Sequence, residues 1–264
     1  MVNKRNRGTA RHGPLQLLER CANLLLDCRC QLCDVPCGAR RLCDTCILLL
    51  KKQRLTVNDG CVLCALPLPI DSPELHCGYC LRQRPVFQRC IAATLYSPPS
   101  AQLVNRLKHH GQLGVASTLA NEIALALQRH AALGEPRVAG SAMAAAVDVI
   151  VPVPLHRRRL RQRGYNQAVQ IGRALGRQLE IPLDLQACLR QKEARAQQTL
   201  SRRQRTSNLH GAFVARSSIA GMRVAIVDDV VTTTSTANAV AASLLQAGAL
   251  SCDVWCFART PAPG

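Results

Sequence analysis

Four Cys-x-x-Cys pairs, Cys30/Cys33, Cys43/Cys46, Cys61/Cys64 and Cys77/Cys80, constrain this chain more than any other feature. Two residues between cysteines let a tight knuckle point both sulfurs at one ion, and two knuckles complete a tetrahedral set. Nine residues separate the first two pairs and twelve the last two, so the spacing predicts two zinc ribbons in series. Spacing alone leaves a crossed arrangement of pairs open, and Cys28 or Cys37 could compete for the first site. A closed four-cysteine site keeps no coordination position for water or substrate, so both zinc ions are expected to be structural.

Twelve of the fifteen cysteines lie between Cys21 and Cys90; Cys188, Cys252 and Cys256 follow and read as small buried hydrophobes. The start, Met1 to Arg7, is basic and leads to no apolar core with a cleavage site. No apolar run approaches the ~18 to 20 residues that span a bilayer. The expectation is a cytoplasmic chain without a membrane span, in which dense paired cysteines mean metal rather than disulfides. The formal charge is +18, and two four-thiolate zinc sites would lower it to about +14. A balance this basic suits phosphate-rich partners, nucleotide-sized or polymeric, without choosing between them.

Three zones follow from composition. Residues 1–25 read as a basic flexible tail and a short helix, with Leu15, Leu18, Cys21 and Leu25 at helical spacing. Residues 26–90 form the double ribbon, with Gly38, Gly60, Pro67, Pro69 and Pro73 supplying turns. Residues 91–264 alternate helix and strand patterns. Helices are predicted over 101–108, 118–132, 167–179 and 236–247, and strands over 147–153, 224–227 and 253–257. A loop is expected over 134–141 and a polar Arg/Gln-rich stretch over 190–208. The alternation predicts an α/β fold with a mostly parallel sheet and flanking helices.

The segment Val224 to Thr236 carries most of the chemistry. An apolar strand ends in Asp228-Asp229, and a hydroxyl-rich loop (Thr232, Thr233, Thr234, Ser235, Thr236) then enters a helix. In open α/β sheets ligands sit at the carboxyl ends of strands. Helix N-terminal N–H groups favour a phosphate, and hydroxyls add donors to it. Adjacent acids suit sugar hydroxyls or hydrated Mg²⁺. The combination reads as a sugar-phosphate cradle. Receiver domains and haloacid-type phosphatases also place acids after a strand, but neither requires the hydroxyl run. A structural reading has Thr236 capping the helix and the acids solvated. No Walker-type phosphate loop is present.

This segment resembles the phosphoribosyl-diphosphate signature of type I phosphoribosyltransferases. Val153-Pro154-Leu155, Arg163-Gly164-Tyr165-Asn166-Gln167, Gln198-Thr199-Leu200-Ser201, Arg205, Asn208 and Gly211-Ala212-Phe213 narrow the resemblance to the ComF/GntX family. The ending Asp253 to Arg259 looks GntX-like, and the likeness includes the double zinc ribbon. The resemblance implies a type I phosphoribosyltransferase-like domain behind a small double zinc-ribbon module. It implies that Asp228 and Asp229 hold the ribose hydroxyls of phosphoribosyl diphosphate, with Mg²⁺. Thr232, Thr233, Thr234, Ser235 and Thr236 would surround its 5-phosphate. Pro154 would face the diphosphate, with Arg163 and Asn166 near the pocket. The family's association with competence and use of external DNA implies single-stranded DNA and competence-machinery proteins as partners. Where the signature has Gly, this chain has Thr234. If the loop kept a left-handed turn there, a β-branched residue would cost it ~1 to 2 kcal/mol.

Two arginine clusters complete the reading: Arg157, Arg158, Arg159, Arg161 and Arg163 after the 147–153 strand, and Arg195, Arg202, Arg203 and Arg205. Both are expected to handle phosphate at the substrate side of the sheet. With seven aromatics in the chain, of which Tyr96, Tyr165 and Phe213 are expected to be exposed, provision for base stacking is thin. Two activities fit these residues. One is a Mg²⁺-dependent phosphoribosyltransferase whose acceptor the sequence does not name. The other is a non-catalytic single-stranded DNA-binding module that retains the fold.

Overall fold

The structure, a computed structural model, describes residues 28–56, 58–69, 75–132, 147–191 and 211–262. The described residues divide into two units after Leu49. In the first, the chain turns back at an isolated bridge between Arg29 and Pro36 and then enters helix α1 (Asp44–Lys51).

The second unit is built on a four-stranded sheet of order β1-β6-β5-β2, formed by β1 (Arg89–Leu95), β2 (Val149–Pro152), β5 (Arg223–Val231) and β6 (Ser251–Arg259). Every pairing in it is parallel. Parallel strands covered on both faces carry continuous apolar runs rather than alternation. Val224, Ala225, Ile226 and Val227 of β5, and Val254, Trp255, Cys256 and Phe257 of β6, are accordingly all buried. Arg89 and Asp253, partners in the β1–β6 register, form an ion pair at 2.9 Å.

Helices α3 (Ser100–His109), α4 (Val115–Ala132), α6 (Gln167–Leu179) and α7 (Ser235–Gln246) cover the sheet, each burying one face. In α3 that face is Leu103, Val104 and Leu107; in α7 it is Ala237, Val240, Ala241 and Leu244, at the 3.6-residue period. Helix α6 comes close to the chain that follows it. A Cβ on Gly176 would lie 2.8 Å from the Ile181 carbonyl oxygen, so only glycine fits. Arg54 makes a paired contact with the buried Glu122 of α4 at 2.7 and 2.8 Å. A short helix, α2 (Gly78–Arg82), and an antiparallel pair, β3 (Cys188–Arg190) with β4 (Phe213–Ala215), complete the unit.

Helix α6 matches the expected bounds, and α3, α4, α7, β2 and β6 agree within a few residues. Four features differ. Strand β5 runs to Val231 because its pairing with β6 continues to Arg259, so the two acids lie within the strand and not after it. Strand β1, for which the sequence predicted no element, is an edge strand of the sheet, and its Cys90 is core. The first arginine cluster folds as α5 (Arg157–Arg163), started by His156 accepting from the Arg158 N–H and stopped by Gly164 at φ 80°. With no buried residue, α5 offered no apolar period to read. Phe213 is buried rather than exposed, with the Arg190 guanidinium 5.3 Å from its ring centre. Cys188, Cys252 and Cys256 are buried as expected. The tail and its helix, the 134–141 loop, Gln198 to Ser201, the second arginine cluster and Asn208 lie outside the described residues.

Candidate functional site

The cysteines form two groups, Cys30/Cys33/Cys43/Cys46 and Cys61/Cys64/Cys77/Cys80, with all four sulfurs of each within 4.8 Å of one another. The pairs therefore join in sequence order, and no crossed arrangement forms. Both groups use the same local design. After Cys33 and Cys64 the chain takes a left-handed residue, Asp34 (φ 63°) and Ala65 (φ 53°), whose N–H donates back to the carbonyl of Cys30 and Cys61. The second pair of each group sits at the start of a helix, where Ile47 and Leu81 N–H groups donate to Cys43 and Cys77 carbonyls.

Sulfurs around one Zn²⁺ lie roughly 3.8 Å apart when each bond is ~2.3 Å; Cys33–Cys43 and Cys64–Cys77 are both at 3.6 Å. Burial pushes the Cys30 thiol up, but backbone N–H groups, including those of Cys43 and Leu32, outweigh it and bring it down to about 6. The donor set fits a dication that would hold all four thiols as thiolates. Cys28 and Cys37 stand outside the group; the Cys37 thiol donates to the Arg40 carbonyl at 2.9 Å.

At the other centre, the β2–β5 register pairs Pro152 with Val227, and the Val153 N–H donates to the Val227 carbonyl. Pairing ends there, so Val153-Pro154 leave β2 beside the point where β5 reaches Asp228. Asp228 is half-buried and Asp229 buried. Backbone N–H groups of Asp229 and Val230 donate to the carboxylates of Asp228 and Asp229. Burial, and then the neighbouring Asp229 charge, hold the Asp228 carboxyl well above the usual range. The ammonium of Lys108, on α3, lies 3.0 Å from Asp229 Oδ2. Lys108 is placed by the buried face of its helix, and the Tyr165 hydroxyl donates to the adjacent Leu107 carbonyl. Reading the sequence missed Lys108. Its signal is a lysine beside a buried stripe near the end of the helix after β1, and nothing local ties that helix to Asp229.

Thr234 has φ −71° and ψ 0°, ordinary right-handed backbone, so the left-handed penalty expected for it does not arise. It occupies the N-cap of α7 without a side-chain capping bond, and Thr236 lies inside the helix rather than at its cap. Thr233 Oγ1 reaches Ser235 Oγ at 3.3 Å, and the Thr232 carbonyl accepts from Arg259 and Thr260. The loop thus presents hydroxyls and helix N–H groups together, one step beyond the acids. A cavity of about 630 Å³ opens beside it, between α2 of the second cysteine group and the outer face of α7, lined by Tyr79, Arg82, Arg84, Thr234, Ser235 and Asn238.

Asn166 and Arg163 are committed locally. Asn166 caps α6 by accepting from the Ala168 N–H and donates to the Val153 carbonyl, and Arg163 donates to Gln167. Asn166 therefore fixes the strand end that carries Pro154. Among the described residues, no helix is long and apolar enough to cross a membrane.

No family model matches the chain. It is 35% identical to the DNA utilization protein YhgH of Escherichia coli K12 over 233 residues, which cover 88% of this chain and 96% of that one. It is 34% identical to competence protein F of Haemophilus influenzae over 187 residues, 70% of this chain and 78% of that one. Among solved structures it is similar to the glutamine phosphoribosylpyrophosphate amidotransferase of B. subtilis, at 19% identity and a TM-score of 0.33. That match covers 53% of this chain and 26% of the other. Another is hypoxanthine phosphoribosyltransferase of Trypanosoma cruzi, at 18% identity and a TM-score of 0.29, covering 53% and 64%. Two four-cysteine groups, a parallel sheet with flanking helices, and relatives alike over most of their length place this chain in the ComF/GntX family, with YhgH and competence protein F.

Proposed function

We propose that this chain binds phosphoribosyl diphosphate with Mg²⁺ at the end of β5 and serves in the uptake or utilisation of DNA. The observation that carries the reading is the join of Asp228-Asp229 to the uncapped, hydroxyl-lined start of α7. The acids would take the ribose hydroxyls. Thr232, Thr233, Thr234, Ser235 and Thr236, with the first N–H groups of α7, would take the 5-phosphate. Pro154, two residues beyond the end of β2, would face the diphosphate. Carboxylate oxygens are the ligands Mg²⁺ takes, and bound Mg²⁺ would offset charge on a departing diphosphate. Because Lys108 already neutralises one of the two acids, the ion would be held more by the diphosphate than by the protein. The two cysteine groups would each hold a structural zinc, with residues 26–90 as the ribbon module and 91–264 as the phosphoribosyltransferase-like domain. The relatives' names supply the DNA connection, and a cytoplasmic site of action suits a sugar-phosphate ligand. Competence-machinery proteins would be its partners in that process.

A second reading, a non-catalytic single-stranded DNA-binding module, is favoured by α5. Its arginines Arg157, Arg158, Arg159 and Arg161 are exposed just beyond the end of β2, where a phosphate backbone would be attracted. Calorimetric titration with phosphoribosyl diphosphate and Mg²⁺ tests the first reading. Saturable heat is expected from the native protein and none from the Asp228→Ala/Asp229→Ala variant; an absence of heat in both would end it. Salt-dependent binding of single-stranded DNA that survives the double substitution would support the second.

A further inference from the structure

Arg259, the last residue of β6, is 3% exposed and has no carboxylate partner among the described residues. Such a guanidinium costs several kcal/mol to bury unless its donors are satisfied. Its Nε donates to the Cys64 carbonyl at 2.9 Å. Its Nη1 donates to the carbonyls of Val231 at 3.0 Å and Thr232 at 2.8 Å. One planar fork therefore joins a ligand residue of the second cysteine group to the last residue of β5 and the first residue of the hydroxyl loop. Thr260 reinforces the loop end, with its N–H on the Val231 carbonyl and its hydroxyl on the Thr232 carbonyl.

We propose that Arg259 is a positioning residue that couples metal occupancy of the second cysteine group to the shape of the hydroxyl loop. Four thiolates around Zn²⁺ carry a net charge of −2, which supplies on the Cys64 side the counter-charge that Arg259 lacks elsewhere. With the metal in place, the Cys61–Cys64 knuckle is rigid, its Cys64 carbonyl is fixed, and the guanidinium holds Val231 and Thr232 at the mouth of the site. Without it the knuckle loosens and the loop loses its anchor. The inference rests on the reading that this loop takes the phosphate, and extends it by giving the second zinc a part in ligand binding. Arginine is required because lysine has no planar fork to span both sets of carbonyls.

Hydrogen exchange on the full zinc-loaded chain tests this without any ligand. In Arg259→Gln, metal analysis is expected to find two zinc ions still bound, and amides of 231–236 should exchange about tenfold faster, since bonds to a charged donor are lost. Amides of 224–227, in the core of the same strand, should not change. Arg259→Lys should recover only part of the protection. Cys61→Ser, which breaks only the second group, should speed loop exchange as Arg259→Gln does, whereas Cys33→Ser, in the first group, should not. Unchanged loop exchange in Arg259→Gln overturns the coupling. So does a folded Cys61→Ser variant with a fully protected loop. In a separate arm, saturating phosphoribosyl diphosphate should raise the equilibrium zinc affinity of the native protein, measured by competition with a chelator, but not that of Arg259→Gln, by reciprocity of linkage. If the loop responds to Arg259 and zinc while phosphoribosyl diphosphate binds nowhere, the coupling stands and the proposed ligand falls.

Discussion

Replacing Lys108 with methionine keeps the length of the side chain and removes the only described ammonium paired with the acid site. Losing one partner of a buried ion pair costs about 3 to 5 kcal/mol, because the other charge stays buried and unpaired. The Asp229 side chain is 9% exposed, so that penalty applies to it; Lys108 is 24% exposed, so water already screens part of the attraction. A loss of roughly 2 kcal/mol follows, or a fall in Tm of about 4 to 8 °C for a unit of this size. The sign with pH is set by the acids. Lys108 also draws the raised Asp228 carboxyl down, so without the ammonium Asp228 holds its proton more tightly in the folded state, and stability falls further as pH rises. The deficit should therefore be larger at pH 8 than at pH 5.5, read by circular dichroism melts at both. Asp229→Asn on the Lys108→Met background should restore most of the loss, since no buried charge is then left over. A Lys108→Met protein melting within a degree of the native one at pH 8 would refute the reasoning. A double variant no better than the single would do the same.

Two further outcomes follow from the same packing. Because burial and Asp229 raise the Asp228 carboxyl, ionising it costs the folded state, and native stability declines as pH rises from the ordinary carboxylate range through the raised one. Asp228→Asn should therefore raise Tm at pH 8, because no carboxyl is left to ionise at a cost to the folded state. The gain should vanish near pH 4, and calorimetry should show phosphoribosyl diphosphate binding lost. Gly176→Ala should lower the unfolding free energy measured in urea by about 1 to 3 kcal/mol, since its Cβ would press on the Ile181 carbonyl. Zinc content and ligand affinity should not change with it.

Much of the site was legible because its parts are contiguous. Asp228 through Thr236 carry acids, hydroxyls and a helix start in one run, and each CxxC knuckle is closed by bonds within five residues. The positions that resisted are those whose partners lie far along the chain. Asn166 looked like a pocket residue, yet its amide is spent on capping α6 and holding Val153. The β1 edge strand was missed because it begins where the cysteine-rich zone ends, and its partner in the sheet, β6, lies more than 150 residues further on.

By itself, the sequence determined that two four-cysteine groups form, that a parallel sheet follows, and that acids and hydroxyls meet at one strand end. These rest on spacing and period, which are local. Only the tertiary structure decided that the groups join in chain order and that Thr234 sits in unstrained backbone. It alone brought Lys108 to Asp229, and Arg259 to both Cys64 and the loop. Those contacts join residues far apart in the chain, which meet only when α3 packs on the sheet and β6 is inserted between β1 and β5.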